Sequence, residues 1–248
     1  MVRVIMHGCN GVMGQVITGM AKDMEGLTIV AGIDLKNDKE NGYPVYASLE
    51  ECKEEADAVV DFASPKAADH LMDFCAEKKL GLVLCTTGLS EEQIKKVKET
   101  AEKTAVLRSA NMSLGVNLLL KLVQEAAKVL ASSGFDIEIV EKHHNRKLDA
   151  PSGTALALAD AMNEALGNQY HYVYDRSSVH EKRDPKEIGI ASVRGGSIVG
   201  DHDVIFAGKD EVITFNHTAY SKAIFAKGAL EAAKFLAGKE PGLYDMSN

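Results

Sequence analysis

The sequence predicts an α/β protein that opens with a parallel-sheet domain and continues into an α+β domain whose sheet is mixed or antiparallel. Three observations carry this. Over the first hundred residues, short apolar runs alternate with amphipathic stretches, the pattern of parallel strands joined by crossover helices. The first strand ends in a glycine-rich turn that runs straight into a helix. Beyond Gly134 the texture changes to alternating and β-rich runs separated by glycine-containing turns.

Taken in order, Val2 to Met6 reads as a strand, Gly14 to Met24 as a helix and Leu27 to Ile33 as a second strand. Ser48 with Glu51 three residues on forms a capping box predicted to open a helix, and Ala58 to Phe62 is a third strand. Ser64 followed by Pro65 signals another helix start. Leu80 to Leu84 is a fourth strand, Ser90 with Gln93 caps a charged helix through Lys103, and Ala105 to Leu107 is a fifth. From Ser113 an apolar-striped helix runs to about Ala131, and Phe135 to Val140 alternates as a half-buried strand would. Residues 189–218 hold three β-rich runs, broken at Arg194-Gly195-Gly196 and Gly208-Lys209-Asp210, which predicts an antiparallel meander. The stretch from Gly167 to Lys186 is polar, lacks periodicity and is long enough to be a functional or mobile loop. Lys222 to Ala237 is a last amphipathic helix.

At 248 residues, with 46% apolar and 26% charged positions, the chain has material for one large domain or two modest ones. A formal charge of -8 argues against nucleic acid as a partner, because phosphate binding needs a surplus of Lys and Arg. The four cysteines, Cys9, Cys52, Cys75 and Cys85, form no C-x-x-C pair and no zinc spacing with His, so neither a disulfide framework nor a metal is expected. The apolar run before Gly8 is too short for a signal segment and no stretch approaches membrane-spanning length, so a cytoplasmic protein is expected.

The first turn reads HGCNGVMG, with Gly8, Gly11 and Gly14 in G-x-x-G-x-x-G spacing. Small residues there let the backbone turn sharply and approach a pyrophosphate, whose charge is met by amides at the helix N-terminus. Asn10 stands where a second glycine is usual, and asparagine tolerates left-handed backbone better than most residues. Asp34 closes the second strand 20 residues beyond Gly14, where a carboxylate would accept hydrogen bonds from an adenosine ribose. Strand, turn, helix, strand and acid in register predict a Rossmann-type dinucleotide-binding domain. Asp34 favours NADH because a carboxylate repels a 2'-phosphate, while Lys36 two residues on leaves NADPH tolerated.

A second dense cluster, EKHHNRKLDAPSGTALALAD, spans Glu141 to Asp160. Ser152, Gly153 and Thr154 lie at a helix start, where free amides and a hydroxyl can receive a carboxylate or phosphate. His143, His144, Arg146 and Lys147 crowd just upstream. Adding hydride puts negative charge on a substrate, so a proton donor and a fixed cation beside an anion receptor suit reduction of a small anionic metabolite.

The strings HGCNGVMG, DFASP, CTTG, SANMSLGVN, EKHHNRKLDAPSGTAL, VRGGSIVGDHDV and GKEPGLYDM together resemble bacterial dihydrodipicolinate reductases, over nearly the whole chain. The resemblance implies NAD(P)H-dependent reduction of 4-hydroxy-tetrahydrodipicolinate, a small cyclic dicarboxylate, on the route to diaminopimelate and lysine. It implies a dinucleotide-binding domain of residues 1–112 and 219–248, and a substrate-binding domain of residues 113–218 that also assembles a homotetramer. By position, His143 matches the family's proton donor and Lys147 its second, with the division between them left open. His144 with Ser152, Gly153 and Thr154 matches the groups that hold substrate carboxylates. Gly8, Cys9, Asn10, Gly11, Val12, Met13, Asp34, Cys85, Thr86, Thr87, Ser109, Ala110, Asn111 and Met112 match segments lining the dinucleotide. Cys85 stands where glycine is usual, Met112 where an aromatic is common and Lys222 where arginine is common. Two rivals remain: another two-domain dehydrogenase of amino or imino acids, such as aspartate dehydrogenase, and a non-catalytic NAD(H) sensor. The HHNRKLDAPSGT string speaks against the first, and the lack of a basic face or helix-turn-helix against the second.

Overall fold

The structure, a computed structural model, describes residues 1–109 and 111–246. The chain divides into two compact units, one of residues 1–113 with the segment from Lys222 onward, the other of Leu114–Ser221.

The first unit is a seven-stranded parallel sheet. In chain order it comprises β1 (Val2–His7), α1 (Val12–Ala21), β2 (Leu27–Ile33), β3 (Val45–Tyr46), β4 (Ala58–Asp61), α2 (Pro65–Lys78), β5 (Gly81–Leu84), α3 (Glu91–Ala101) and β6 (Ala105–Leu107). After the second unit the chain returns as α6 (Ala223–Leu236) and β12 (Gly242–Tyr244). The strand order is β12-β6-β5-β4-β1-β2-β3, so the direction of winding reverses at β1 and β4. In such sheets the carboxyl ends of the strands at the reversal open a crevice that takes the ligand.

Alternation along each buried strand feeds two cores, one per sheet face. Val4, Met6, Ala58, Val60 and Val83 join Ile17 of α1 and Ala229, Leu230 and Ala233 of α6. Ile5, Val59, Leu82, Leu84 and Val106 join Leu71 and Met72 of α2 and Val97 of α3 on the other face. Each fully buried Ile, Leu, Val or Met stabilises by about 1.5–3 kcal/mol relative to exposure. The starts of α2 and α3 are as expected: Ser64 accepts from the Lys66 amide, and Ser90 and Gln93 form a reciprocal capping box. Ser48 and Glu51 do not open a helix. The segment is a turn in which the Glu51 carboxylate accepts from the Ala47 amide and the Cys52 amide donates to Leu49 O. Leu49 is buried in the core here, and the few residues left before β4 give no room for helical turns.

The second unit comprises α4 (Leu114–Leu130), β7 (Asp136–His143), α5 (Gly153–Ala165), β8 (His171–Val173), β9 (Glu187–Arg194), β10 (Gly200–Ala207) and β11 (Val212–Ala219). Its five strands are ordered β11-β10-β7-β9-β8. β7, β10 and β11 pair antiparallel, whereas β9 runs parallel to both β7 and β8, so the sheet is mixed. The three β-rich runs are therefore not a meander: β7 lies between β9 and β10, and the glycines at 195 and 196 turn the chain across it rather than into a hairpin. Val123 of α4 and Leu158 and Met162 of α5 pack with Ile137, Ile139, Ile188, Val204 and Phe206 as the core. The polar stretch 167–186 contains β8 and is tied down by ion pairs: Arg176 binds Glu187, and Arg183 binds Asp136 and Glu138.

Candidate functional site

In the first unit, a cleft of about 560 Å³ lies at the carboxyl ends of β1, β2 and β4, lined among others by Gly8, Gly11, Asp34, Phe62 and Ser64. The turn that shapes it depends on glycine at two points. Gly8 has φ +80, and a Cβ on Gly14 would sit 2.3 Å from Gly8 O. Asn10 is not left-handed; it works through its side chain instead. Its Nδ2 donates to Lys36 O and its Oδ1 accepts from Asn41 Nδ2 at 2.8 Å, while Gln15 Nε2 joins Asn41 Oδ1 at 2.7 Å. The loop after β2 is thereby laced to the glycine turn.

Asp34 sits at the mouth of the cleft, and both its oxygens already accept backbone amides, Oδ2 from Asn10 at 2.9 Å and Oδ1 from Lys36 at 3.2 Å. Each carboxylate oxygen has a second lone pair to offer. α1 begins at Gly11 without a side-chain cap, so its first amides keep their pull on an anion. A Cβ at Gly11 would meet only Gly8 O, at 3.3 Å, which leaves the backbone open to close approach. Cys9, Val12 and Met13 do not line the cleft: the Cys9 side chain is fully buried against Gly32, Met13 packs on the core, and Val12 is exposed.

A second recess of about 250 Å³ gathers Cys85, Thr86 and Thr87 beyond β5 with Ser109, Asn111 and Met112 beyond β6. Phe62 lines both recesses. Thr86 Oγ1 is buried without a hydrogen-bond partner among the described residues, a polar atom facing a recess and in want of a ligand group. Burial and the nearby Asp61 carboxylate push the Cys85 thiol well above its usual range, so it is a neutral packing group. Ala110 lies outside the described residues. Capless helix start, open glycine, flanking acid and orphaned hydroxyl together fit a dinucleotide. Sequence reasoning assigned no role to His7 and Asp61, which end β1 and β4 and pair at 2.7 Å beside the first cleft.

In the second unit, β7 delivers His143 at its carboxyl end and turns through residues 144–152 into α5. Strand alternation puts Glu141 and His143 on the same inward face. Glu141 is completely buried, and donors from three elements converge on it. His143 Nδ1 lies 2.5 Å from Oε2, Arg194 Nη1 and Nη2 donate at 2.8 and 2.6 Å, and the Ser152 amide donates at 3.1 Å. Burial alone would raise this carboxyl, but hydrogen bonds from Arg194, Ser192 and His143 outweigh it and bring its pKa down to about 2. For His143 burial wins: its pKa falls below the usual histidine value, with Glu141 opposing and the charges of Lys147 and Arg194 adding to the fall.

Ser152 caps α5 through the Ala155 amide at 3.1 Å and meets His202 Nε2 at 3.0 Å. His202 of β10 is buried, its ring edge-on to His143 with centroids 5.1 Å apart, and burial with the neighbouring His143 lowers its pKa to about 4. Gly153 faces open space. His144 has a buried Nδ1 without a partner among the described residues. Lys147 binds Asp149 at 2.9 Å, and Arg194 reaches the Asp149 carbonyl at 2.6 Å. His143, His144, Lys147, Ser152, Gly153 and Thr154 thus share one strand end, one turn and one helix start. Sequence reasoning missed Glu141, Arg194 and His202. The signal for Glu141 was its place two residues before His143 on a strand.

Comparison with known proteins agrees with this picture. A family model described as dihydrodipicolinate reductase, N-terminus, matches residues 2–112, and its C-terminal counterpart matches residues 115–248. The chain is 56% identical over 248 residues to 4-hydroxy-tetrahydrodipicolinate reductase of Caldanaerobacter subterraneus subsp. tengcongensis, covering 100% of this chain and 98% of the other. It is 48% identical over 246 residues to the reductase of that name from Clostridium tetani, covering 99% and 96%. The solved structure of dipicolinate-bound dihydrodipicolinate reductase from Paenisporosarcina sp. TG-14 superposes with a TM-score of 0.81 at 26% identity, covering 99% of this chain and 97% of that one. Aspartate dehydrogenase from Thermotoga maritima, at 12% identity and TM-score 0.55 over 97% and 98% of the chains, shares the fold alone.

Proposed function

The chain belongs to the dihydrodipicolinate reductase family and reduces 4-hydroxy-tetrahydrodipicolinate with NAD(P)H, and we propose that His143 and Lys147 supply the proton this reduction needs. The observation that carries the proposal is His143, hydrogen-bonded to a buried carboxylate beside the N-terminus of α5. NAD(P)H, when bound, would supply a hydride to C4 once the 4-hydroxyl and a proton of the neighbouring ring carbon have left as water, and return of a proton to that carbon gives tetrahydrodipicolinate of diaminopimelate and lysine biosynthesis. The chain's residues have the remaining work: neutralising the carboxylates, placing the ring and protonating the neighbouring carbon.

The first amides of α5, with Gly153, Thr154 and His144, receive substrate carboxylates, where helix dipole and hydroxyl favour negative charge. Lys147 exchanges Asp149 for the substrate, adding the fixed cation and second proton source. His143 donates from Nε2, since Nδ1 is taken by Glu141. The dinucleotide rests on the glycine turn and on the segments Cys85 to Thr87 and Ser109 to Met112. Asp34 makes NADH preferred and NADPH tolerated, because a carboxylate at the ribose repels a 2'-phosphate. We also read the protein as cytoplasmic and as a homotetramer built through the second unit. Exposed Val193, Val212 and Ile213 on its strands support an assembly surface.

The test is oxidation of NADH and of NADPH followed by absorbance, with substrate made in place from pyruvate and aspartate semialdehyde by the preceding synthase. A lower KM for NADH and a loss of kcat in both His143→Ala and Lys147→Ala, with NADH binding retained, are expected. Near-normal turnover in both variants removes the proton-donor assignment, and a KM for NADPH well below that for NADH removes the preference. Sedimentation should give four times the 26.7 kDa chain mass.

A further inference from the structure

We infer that Glu141, clamped by Arg194, is a positioning residue that holds the His143 proton on Nδ1 and leaves Nε2 as the atom that exchanges a proton with substrate. The inference rests on the proposed role of His143 and deepens it. Glu141 is fully buried and gathers donors across its two oxygens from β7, β9 and the start of α5. A buried carboxylate so engaged neither rotates nor protonates readily, so it presents a fixed acceptor to the imidazole. An ionised carboxylate only accepts, so the ring nitrogen facing it must carry hydrogen. In the neutral ring the other nitrogen is then bare.

That other nitrogen has room to react. A Cβ placed on Gly200 would lie 3.2 Å from His143 Nε2 as its nearest neighbour, so a side chain at 200 would press on Nε2 where glycine leaves space. His202 packs edge-on against the ring and steadies its plane. The same guanidinium that clamps Glu141 also reaches the carbonyl of Asp149, whose side chain holds Lys147. One carboxylate and one guanidinium therefore set both proton donors, His143 directly and Lys147 through the backbone beside it.

The groups facing His143 are Glu141 on its own strand, Arg194 of β9, Lys147 of the turn and His202 of β10. Of these Glu141 alone is negative and stabilises the imidazolium. Its removal leaves positive or neutral neighbours, so the proton on His143 is held less well.

Nitrogen-15 NMR of the wild-type imidazoles, with the His143 signals identified by their loss in His143→Gln, should show neutral His143 protonated at Nδ1 and bare at Nε2. A proton on Nε2 overturns the inference, and this measurement needs no variant of Glu141 to fold. In Glu141→Gln, kcat should fall about 10- to 100-fold, a share of the 10²–10⁴ that a general acid contributes. The alkaline limb of its kcat profile, on which His143 loses the proton it must donate, should move to lower pH, while the dissociation constant for NADH, read by its fluorescence, stays within about twofold. Full turnover and an unmoved limb in Glu141→Gln, alongside an inactive His143→Ala, overturn the positioning role and leave the proton-donor reading intact. Full turnover in His143→Ala removes that reading itself.

Discussion

Replacing Gly14 by alanine tests the claim that the cofactor turn is a steric construction. Its Cβ would fall 2.3 Å from Gly8 O and 2.5 Å from Cys9 O, whereas ordinary contact begins near 3.4 Å. Both obstacles are backbone, so the first turn of α1 must retreat by about 1 Å from the glycine turn. Overpacking of this kind costs about 1–3 kcal/mol. At roughly 2–4 °C per kcal/mol for a chain of this size, Tm should fall by about 2–12 °C. The retreat also carries the helix amides away from the pyrophosphate position, so NADH affinity should drop at least about tenfold, some 1.4 kcal/mol. Gly11→Ala is the control: its Cβ meets only Gly8 O at 3.3 Å, so Tm should stay within about 2 °C while NADH binding weakens. Differential scanning fluorimetry and fluorescence titration with NADH read both quantities. A Gly14→Ala protein with wild-type Tm and wild-type affinity would refute the steric argument.

Three further outcomes are expected. Asp34→Asn removes the charge that repels a 2'-phosphate, so the KM ratio of NADPH to NADH should fall about tenfold, and an unchanged ratio would mean that the preference is set elsewhere. His202 has its pKa lowered from about 6.5 to about 4 by burial, so the unfolded chain takes up the proton first on acidification. Stability is therefore whole above pH 6.5 and declines toward pH 4, by on the order of 3 kcal/mol for this group. Burial depresses His143 and His217 in the same sense, so His202→Gln should reduce, without abolishing, the fall in Tm between pH 7 and 5. Glu141 acts below this window, its contribution being lost as pH falls from about 4.5 through about 2. Ser152→Ala removes the cap of α5, at about 0.5–2 kcal/mol, and thermal denaturation should show it; an unchanged Tm would mean that water replaces the hydroxyl.

Buried strands and patterned helices were legible in the sequence: β1, β2, β4, β5 and β6 as apolar runs, α3 from its capping box, and α4 and α6 from their stripes. β3, β8 and β12 are as short as β6 but sit at sheet edges and lack its wholly buried apolar run, and they exist because a neighbouring strand offers an edge. The Ser48 to Glu51 signal misled because local capping chemistry was satisfied by a turn once Leu49 went into the core. Pairing of β9 parallel to β7 is a long-range choice that the separate runs do not encode. At the site, His143, Lys147 and Ser152 were readable because they fall in one string. Arg194 and His202 lie about 50 residues beyond the groups they touch, and only the sheet brings them there.

The return of the chain to its first unit has a consequence for synthesis. Leu114–Ser221 emerges as one continuous segment and holds its whole core before translation nears its end. The sheet begun at Val2 has to wait: one of its faces is closed by Ala226, Ala229, Leu230, Ala233 and Leu236, which leave the ribosome only after the whole second unit. At elongation rates of about 5–20 residues per second, bare parallel strands are exposed to solvent for several seconds. The nascent nucleotide-binding half, made first and finished last, is therefore the part of this protein with the most need of a chaperone.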